Sequence, residues 1–198
     1  MKNNNSFKYV TIFIFLFIGW QFFAANSVSA QRRDHLTEME VELVRDAQQI
    51  DSRMDVFVKA VDRRFLVLNK DAAQAAQAAQ IEKDRDKWGE MPTGTRAEIL
   101  RDIEKILDEA ISKIDDVATR DMKSELFPVA VNVLANGVTR FLPELKSQLD
   151  KTTVETEKGS ILNSIEFCSQ IISASAKVPK LNEKEMKKMK KDGRKIPQ

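Results

Sequence analysis

Residues 99–117 read ILRDIEKILDEAISKIDDV, and this stretch decides the fold class. Its apolar residues recur three or four positions apart, and mostly charged residues fill the positions between them. That alternation is the period of an α-helix with one buried side. Flanking isoleucines widen the apolar stripe, which is typical of a bundle core rather than of a two-stranded coil. The stripe consists of Leu100, Ile103, Leu107, Ala110, Ile114 and Val117.

The same period recurs in three other segments, at residues 36–68, 127–145 and 161–172. A loop rich in Gly and Pro precedes the segment quoted above, which is a boundary signal between elements. Thr95 and Glu98 then have the spacing of a capping box, in which each side chain binds the other residue's backbone N–H. We therefore predict an all-α fold, a helical bundle of about four helices.

The first helix is predicted to be unusually long, because no Gly or Pro lies between Leu36 and Trp88. Residues 71–80 read DAAQAAQAAQ, and Ala and Gln both favour helix. A continuous helix of about 50 residues would measure about 75 Å. It therefore either bends near Asn69 or packs on two partners in succession. The small side chains in this stretch are a candidate helix-packing seat, the alternative being a solvated helix; the seat comprises Ala72, Ala75, Ala76 and Ala79.

The first 30 residues have the three parts of a secretory signal peptide. Lysines come first, an uncharged apolar run follows, and a run of small residues ends at Ala30. We predict cleavage between Ala30 and Gln31 and a secreted or periplasmic protein. The alternative is an uncleaved membrane anchor, but the apolar run is short compared with the roughly 20 residues that a spanning helix needs.

Charge divides the rest of the chain in two. Residues 31–176, the predicted single helical-bundle domain, carry a net charge of −6, whereas residues 177–198 carry +6. We predict that the second part is a basic, flexible tail. We favour a tail that is solvated or folds back on the acidic body, and the alternative is a tail that attracts an anionic membrane surface or an acidic protein. Nucleic acid is not an expected partner. The candidate contact residues are Lys184, Lys187, Lys188, Lys190, Lys191, Arg194 and Lys195.

Residues typical of catalytic or metal sites are scarce. His35 is the only histidine and lies near the predicted new N-terminus, so we expect no metal and no cofactor. Cys168 lies on an apolar stripe and is interpreted as a small buried hydrophobic residue. Arg64 interrupts the first stripe. We favour a guanidinium that reaches water from the bundle edge over an ion pair with another helix. Acids expected on a solvated face are Glu38, Glu40, Glu42, Asp51, Asp55 and Asp62.

These observations favour a non-enzymatic interaction or structural module of the cell envelope. The alternative is an extracytoplasmic bundle that binds or senses a small apolar ligand between its helices. An enzyme is disfavoured, because the usual sets of acid, base and nucleophile are missing. The expected partner is an unknown protein or a second copy that contacts the first helix, although the other stripes could bury that helix within a monomer.

Overall fold

Every regular element in the part of the chain that the structure describes is a helix. This computed structural model describes residues 34–69, 83–121, 124 and 126–192, and it contains no strand in those ranges. The predicted all-α class is confirmed. Residues 83–88 are helical, and the helices with defined bounds are α1 (Glu38–Asp46), α2 (Ile50–Leu68), α3 (Arg96–Asp121), α4 (Leu126–Asp150), α5 (Glu155–Ser175) and α6 (Glu183–Asp192).

Helices α2 to α5 form the frame of the bundle. Helix α2 packs against α3 and α4, and α5 packs against the same two helices. Helices α2 and α4 run in the same direction. Asp62 pairs with Arg140, and further along both helices Asn69 contacts Gln148. Helices α3 and α5 run in the same direction as each other, since Arg96 contacts Glu157 and Glu104 contacts Asn163. They oppose α4, because Arg96 at the start of α3 also donates to the carbonyl of Gln148 near the end of α4. The four apolar stripes therefore face one another around a common core.

The core is built from the residues at the helical period. On α3, Leu100, Ile103, Leu107 and Ala110 are at most 1% exposed. Burial of a large aliphatic side chain contributes about 1.5–3 kcal/mol to folding, so these stripes dominate the stability of the bundle. The other three long helices contribute the centre of the same core, with Met54, Phe57, Val61, Leu134, Val138, Phe141, Leu145, Ile161 and Cys168.

The predicted single long first helix does not form, because a turn at residues 47–49 separates α1 from α2. Ala47 leaves the helical conformation, and the guanidinium of Arg53 donates to its carbonyl oxygen at 3.0 and 3.2 Å. Helix α1 then folds back on α2. In one continuous helix Glu40 would lie about 36 Å from Arg64. The reversal instead brings their side chains to 2.6 Å from each other.

The other end of the first helix is defined only to Asn69, which caps α2. The predicted bend near residue 69 and the alanine seat at Ala72, Ala75, Ala76 and Ala79 lie outside the described residues. The prediction of about four helices treated α1, α2 and residues 83–88 as one helix.

The capping box expected at the start of α3 forms. The Glu98 carboxylate accepts from the Thr95 N–H at 2.7 Å, and the Thr95 hydroxyl accepts from the Glu98 N–H at 3.3 Å. Helix α5 begins differently. Thr152 donates its hydroxyl to Glu157 at 2.6 Å, and Val154 is the N-cap.

Helix α4 is the apolar centre of the bundle. Among the described residues it is the one helix long and apolar enough to cross a membrane, a test that a buried core helix also meets. The helix continues through Thr139 and Pro143. Gly137 permits a close approach of α2, because a Cβ there would lie 2.7 Å from Cγ2 of Val58.

The basic C-terminal segment returns to the bundle as far as the structure describes it. Helix α6 packs Met186 and Met189 against the core beside α4. As far as residue 192, the segment is therefore folded back on the body and is not a flexible tail. The described residues from Asp34 onward, α6 included, belong to one compact unit.

Candidate functional site

Four charged side chains form a buried charge cluster where α1, α2 and α3 meet. Nη1 of Arg64 lies 2.6 Å from both carboxylate oxygens of Glu40, and Nε of Arg63 lies 3.2 Å from the same carboxylate. Asp102 lies 3.8 Å from Nε of Arg64. All four residues are at most 4% exposed. Two positive and two negative charges balance, which removes most of the cost of burying any one of them.

Both guanidinium groups also donate to backbone carbonyls. Arg64 donates to the carbonyl of His35 at 2.6 Å. Arg63 donates to the carbonyls of Trp88 at 2.9 Å and Glu90 at 2.5 Å, and its guanidinium lies 5.7 Å from the Trp88 ring centroid. Burial lowers the pKa of Arg63, and the charge of Glu40 opposes that effect. The cluster thus holds residues 35–40 and residues 88–90 against α2, which is a structural role.

The favoured interpretation of Arg64 is therefore wrong, and the internal ion pair is what forms. Two of the acids expected on a solvated face, Glu40 and Asp51, are fully buried. The sequence did contain a signal for the pair, since Glu40 and Arg64 carry opposite charges and each interrupts the same apolar stripe. Glu38 and Glu42 are exposed as expected.

His35 is held against the bundle rather than in a loose terminus. Its Nε2 lies 2.8 Å from the Glu109 carboxylate on α3, and its Nδ1 lies 3.2 Å from that of Asp34. The hydrogen bond from His35 lowers the pKa of Glu109 below its ordinary value, and burial acts in the opposite direction. This contact fixes the start of α1 beside α3.

Cys168 is fully buried on α5, which confirms its interpretation as a small core residue. Burial raises the pKa of its thiol to about 12. A thiol of that kind is almost entirely protonated at neutral pH and therefore a poor nucleophile. Among the residues that the structure describes, no group of three or more His, Cys, Asp or Glu side chains is arranged to hold a metal ion.

An apolar pocket of about 130 Å³ opens between α3, α4 and α5. Apolar cavities of about 150 Å³ are large enough for a benzene-sized molecule. The pocket is lined by Ile111, Ile114, Val131, Leu134, Ile171 and Ala174, with Asp115 and Gln170 as its polar members.

Helix α6 is anchored at its root by a buried amide. Asn132 of α4 donates from Nδ2 to the carbonyl of Pro179 at 2.9 Å and accepts from the N–H of Leu181 at 3.3 Å. Asn182 and Glu185 then cap the first turn of α6 through reciprocal hydrogen bonds of 2.8 and 3.0 Å. The start of this helix is therefore fixed by backbone contacts as well as by the packing of its methionines.

The candidate basic residues fall on this anchored helix. Lys184, Lys187, Lys188 and Lys191 are exposed, and Lys187 lies 4.0 Å from Glu183. Lys190 also belongs to α6. The last two candidate residues of this set, and the predicted cleavage site, lie outside the described ranges: Arg194, Lys195, Ala30 and Gln31.

The chain matches no protein-family model, no curated protein and no solved structure in the comparisons made with it.

Proposed function

We propose that the protein is an exported, non-enzymatic helical-bundle module that contacts another component of the cell envelope. The observation that carries the proposal is the anchored helix α6, which presents Lys184, Lys187, Lys188 and Lys191 to solvent. The signal-peptide pattern of residues 1–30 supports export. The four-helix frame of α2 to α5 serves as the rigid support for this helix.

Anchoring matters because an interaction loses affinity when it has to order flexible side chains and backbone. The hydrogen bonds from Asn132 and the packing of Met186 order the backbone of α6 before any partner arrives. The charges of the buried cluster, by contrast, already face one another and offer nothing to a partner. The exposed lysines of α6, in contrast, remain available for contact.

A pull-down from cell-envelope extract tests this proposal. The bait is the chain from Gln31 to Gln198, which contains the whole compact unit. It is compared with a bait that carries Lys184→Gln, Lys188→Gln and Lys191→Gln. We expect an envelope component to be captured by the first bait and lost with the second. Equal capture would place the contact on the helical body, and no capture of protein or lipid by either bait would contradict the module.

Self-association through the first helix has less support, because α2 contacts α1, α3 and α4 within one chain. Light scattering on the chain from Gln31 is expected to give a monomer mass. A dimer mass that persists on dilution would favour self-association instead.

The apolar pocket favours a second candidate function, the binding or sensing of a small apolar ligand. A ligand of benzene size would contact Ile114, Leu134 and Ile171, and binding would raise the midpoint of thermal unfolding. The substitution Ala174→Leu extends a side chain from the pocket lining and should abolish that rise. The matched control is Ala176→Leu on the same segment, since Ala176 does not line the pocket. A ligand response that survives Ala174→Leu would exclude this pocket as the site.

A further inference from the structure

We infer that α6 docks the protein on a membrane surface that carries anionic phospholipid headgroups. This inference rests on the proposed function and names the partner of the same helix. It is carried by three features of α6: the fixed root, the orientation of its lysines, and the absence of an ion-pair partner for three of them among the described residues.

The lysines that matter lie on one side of the helix. Lys184, Lys188 and Lys191 are spaced four and three residues apart, so they form a stripe about 10 Å long. The two methionines that pack on the bundle lie on the opposite side, because a turn of α-helix takes 3.6 residues. The packing of Met186 and Met189 therefore directs the lysine stripe away from the protein.

No ion pair of the stripe is found among the described residues. Each of its three lysines is exposed, and the described ion pair of α6 joins Glu183 to Lys187 instead. The stripe thus presents three positive charges to solvent. The body at residues 31–176 carries a net charge of −6. An anionic surface repels that body and attracts α6, so the charge distribution sets the orientation in which the protein approaches the surface.

A lipid surface suits this stripe better than an acidic protein does. The stripe contains lysine alone, whose ammonium group is a compact and strongly hydrated charge without the fixed fork of arginine. Mobile headgroup phosphates can move to meet such charges. Protein interfaces, in contrast, depend on buried aromatic or arginine anchors. The apolar residues of α6, Met186 and Met189, are engaged with the bundle.

The test is co-sedimentation of the chain from Gln31 with vesicles of phosphatidylcholine, with and without phosphatidylglycerol. Beginning at Gln31 removes the apolar N-terminal run, which could itself enter a bilayer. We compare the unsubstituted chain with the variant Lys184→Gln, Lys188→Gln, Lys191→Gln. The matched control is Lys105→Gln, Lys146→Gln, Lys151→Gln, since these three lysines are equally exposed on the body and the charge change is the same.

Each basic residue near an anionic surface contributes roughly a fivefold change in partition. We therefore expect about a hundredfold loss of binding to phosphatidylglycerol vesicles in the α6 variant and a much smaller loss in the control variant. Circular dichroism and thermal unfolding should show that both variants remain folded.

Equal losses in both variants would overturn the inference, because they would show an effect of net charge alone. It would also be overturned if the unsubstituted chain bound neutral and anionic vesicles equally. A protein captured through the lysines of α6, together with no preference for anionic vesicles, would exclude the lipid partner. That last result would leave the interaction module intact, so the two proposals fail separately.

Discussion

The buried charge cluster and helix α6 use charged residues in opposite ways. In the cluster, Arg63 and Arg64 face Glu40 and Asp102 at the junction of three helices, where all four are almost fully buried. On α6, Lys184, Lys188 and Lys191 are exposed, and the ion pair found among the described residues of this helix joins Lys187 to Glu183 instead. Charges that are removed from water must be paired, whereas charges in water cost little and stay available. Residue type therefore does not reveal the role of a charge in this protein; its burial does.

The largest effect is expected from Glu40→Gln, which leaves two buried guanidinium groups without their shared carboxylate. Breaking a buried ion pair costs about 3–5 kcal/mol. Glutamine retains the capping pattern with Thr37, so the loss reports the charge. The measurement is the free energy of unfolding in urea. The control is Glu42→Gln on the same helix, which removes an exposed pair with Arg45 and should cost less than about 1 kcal/mol. Equal costs would show that the cluster is not a stabilising contact.

A smaller loss of stability is expected from a substitution at Gly137, where α2 and α4 meet beneath α6. Gly137→Ala places a Cβ 2.7 Å from Val58, and a valine side chain cannot easily rotate away. Overpacking of this kind costs about 1–3 kcal/mol. Gly159→Ala has no heavy atom within 4 Å, and in its helix it should stabilise by about 0.5–1 kcal/mol. The prediction fails if both substitutions change thermal stability in the same direction.

The anchoring of α6 is tested by Asn132→Ala, which removes the hydrogen bonds to Pro179 and Leu181. Loss of such contacts costs about 1–3 kcal/mol. We expect faster amide hydrogen exchange in α6 and little change in α3 or α5. Asn136→Ala, one turn further along α4 on an exposed position, is the control. If both variants leave exchange in α6 unchanged, the amide of Asn132 does not hold the helix.

A pH-dependent effect is expected from Glu109, whose pKa is lowered by the hydrogen bond from His35. A carboxyl group with a lower pKa in the folded chain stabilises the fold above its unfolded pKa, and the contribution is lost as pH falls through the folded pKa. Stability should therefore fall in acid, below the ordinary pKa of 4.5. In Glu109→Gln this part of the acid dependence should disappear. An unchanged pH profile of the unfolding midpoint would contradict the assignment.

The smallest effect on stability is expected from the α6 lysines themselves. Replacing Lys184, Lys188 and Lys191 with glutamine should change the free energy of unfolding by less than about 0.5 kcal/mol for each substitution. The same variant should lose most of its binding to anionic vesicles. A large loss of stability would mean that these lysines, like the arginines of the cluster, serve the fold.

The features of this fold that depend on local sequence pattern were predictable. The apolar period of residues 99–117 marked α3 and its buried face, and Thr95 with Glu98 marked where that helix begins. The position of Cys168 on its stripe indicated its burial. Each of these depends on neighbours within a few residues along the chain, so a single stretch of sequence contains the necessary information.

The features that depend on contacts between residues distant in the chain were not predictable from local pattern. The turn at residues 47–49 has no Gly or Pro to mark it, so the local pattern favoured continuation of the helix. Glu40 was predicted to lie on a solvated face, but the reversal of the chain at residues 47–49 places it beside Arg64. The anchoring of α6 likewise depends on Asn132, which lies 47 residues before Pro179.

The amino-acid sequence is enough to specify that this chain forms helices, which of their faces are apolar, and where positive charge collects. Those properties follow from side-chain chemistry repeated at the helical period. Which charges are buried together and which face water is specified by the tertiary packing, because it depends on which helices become neighbours and on their relative directions. A buried carboxylate is stable only where its partner arrives, and for Glu40 that partner is 24 residues away along the chain.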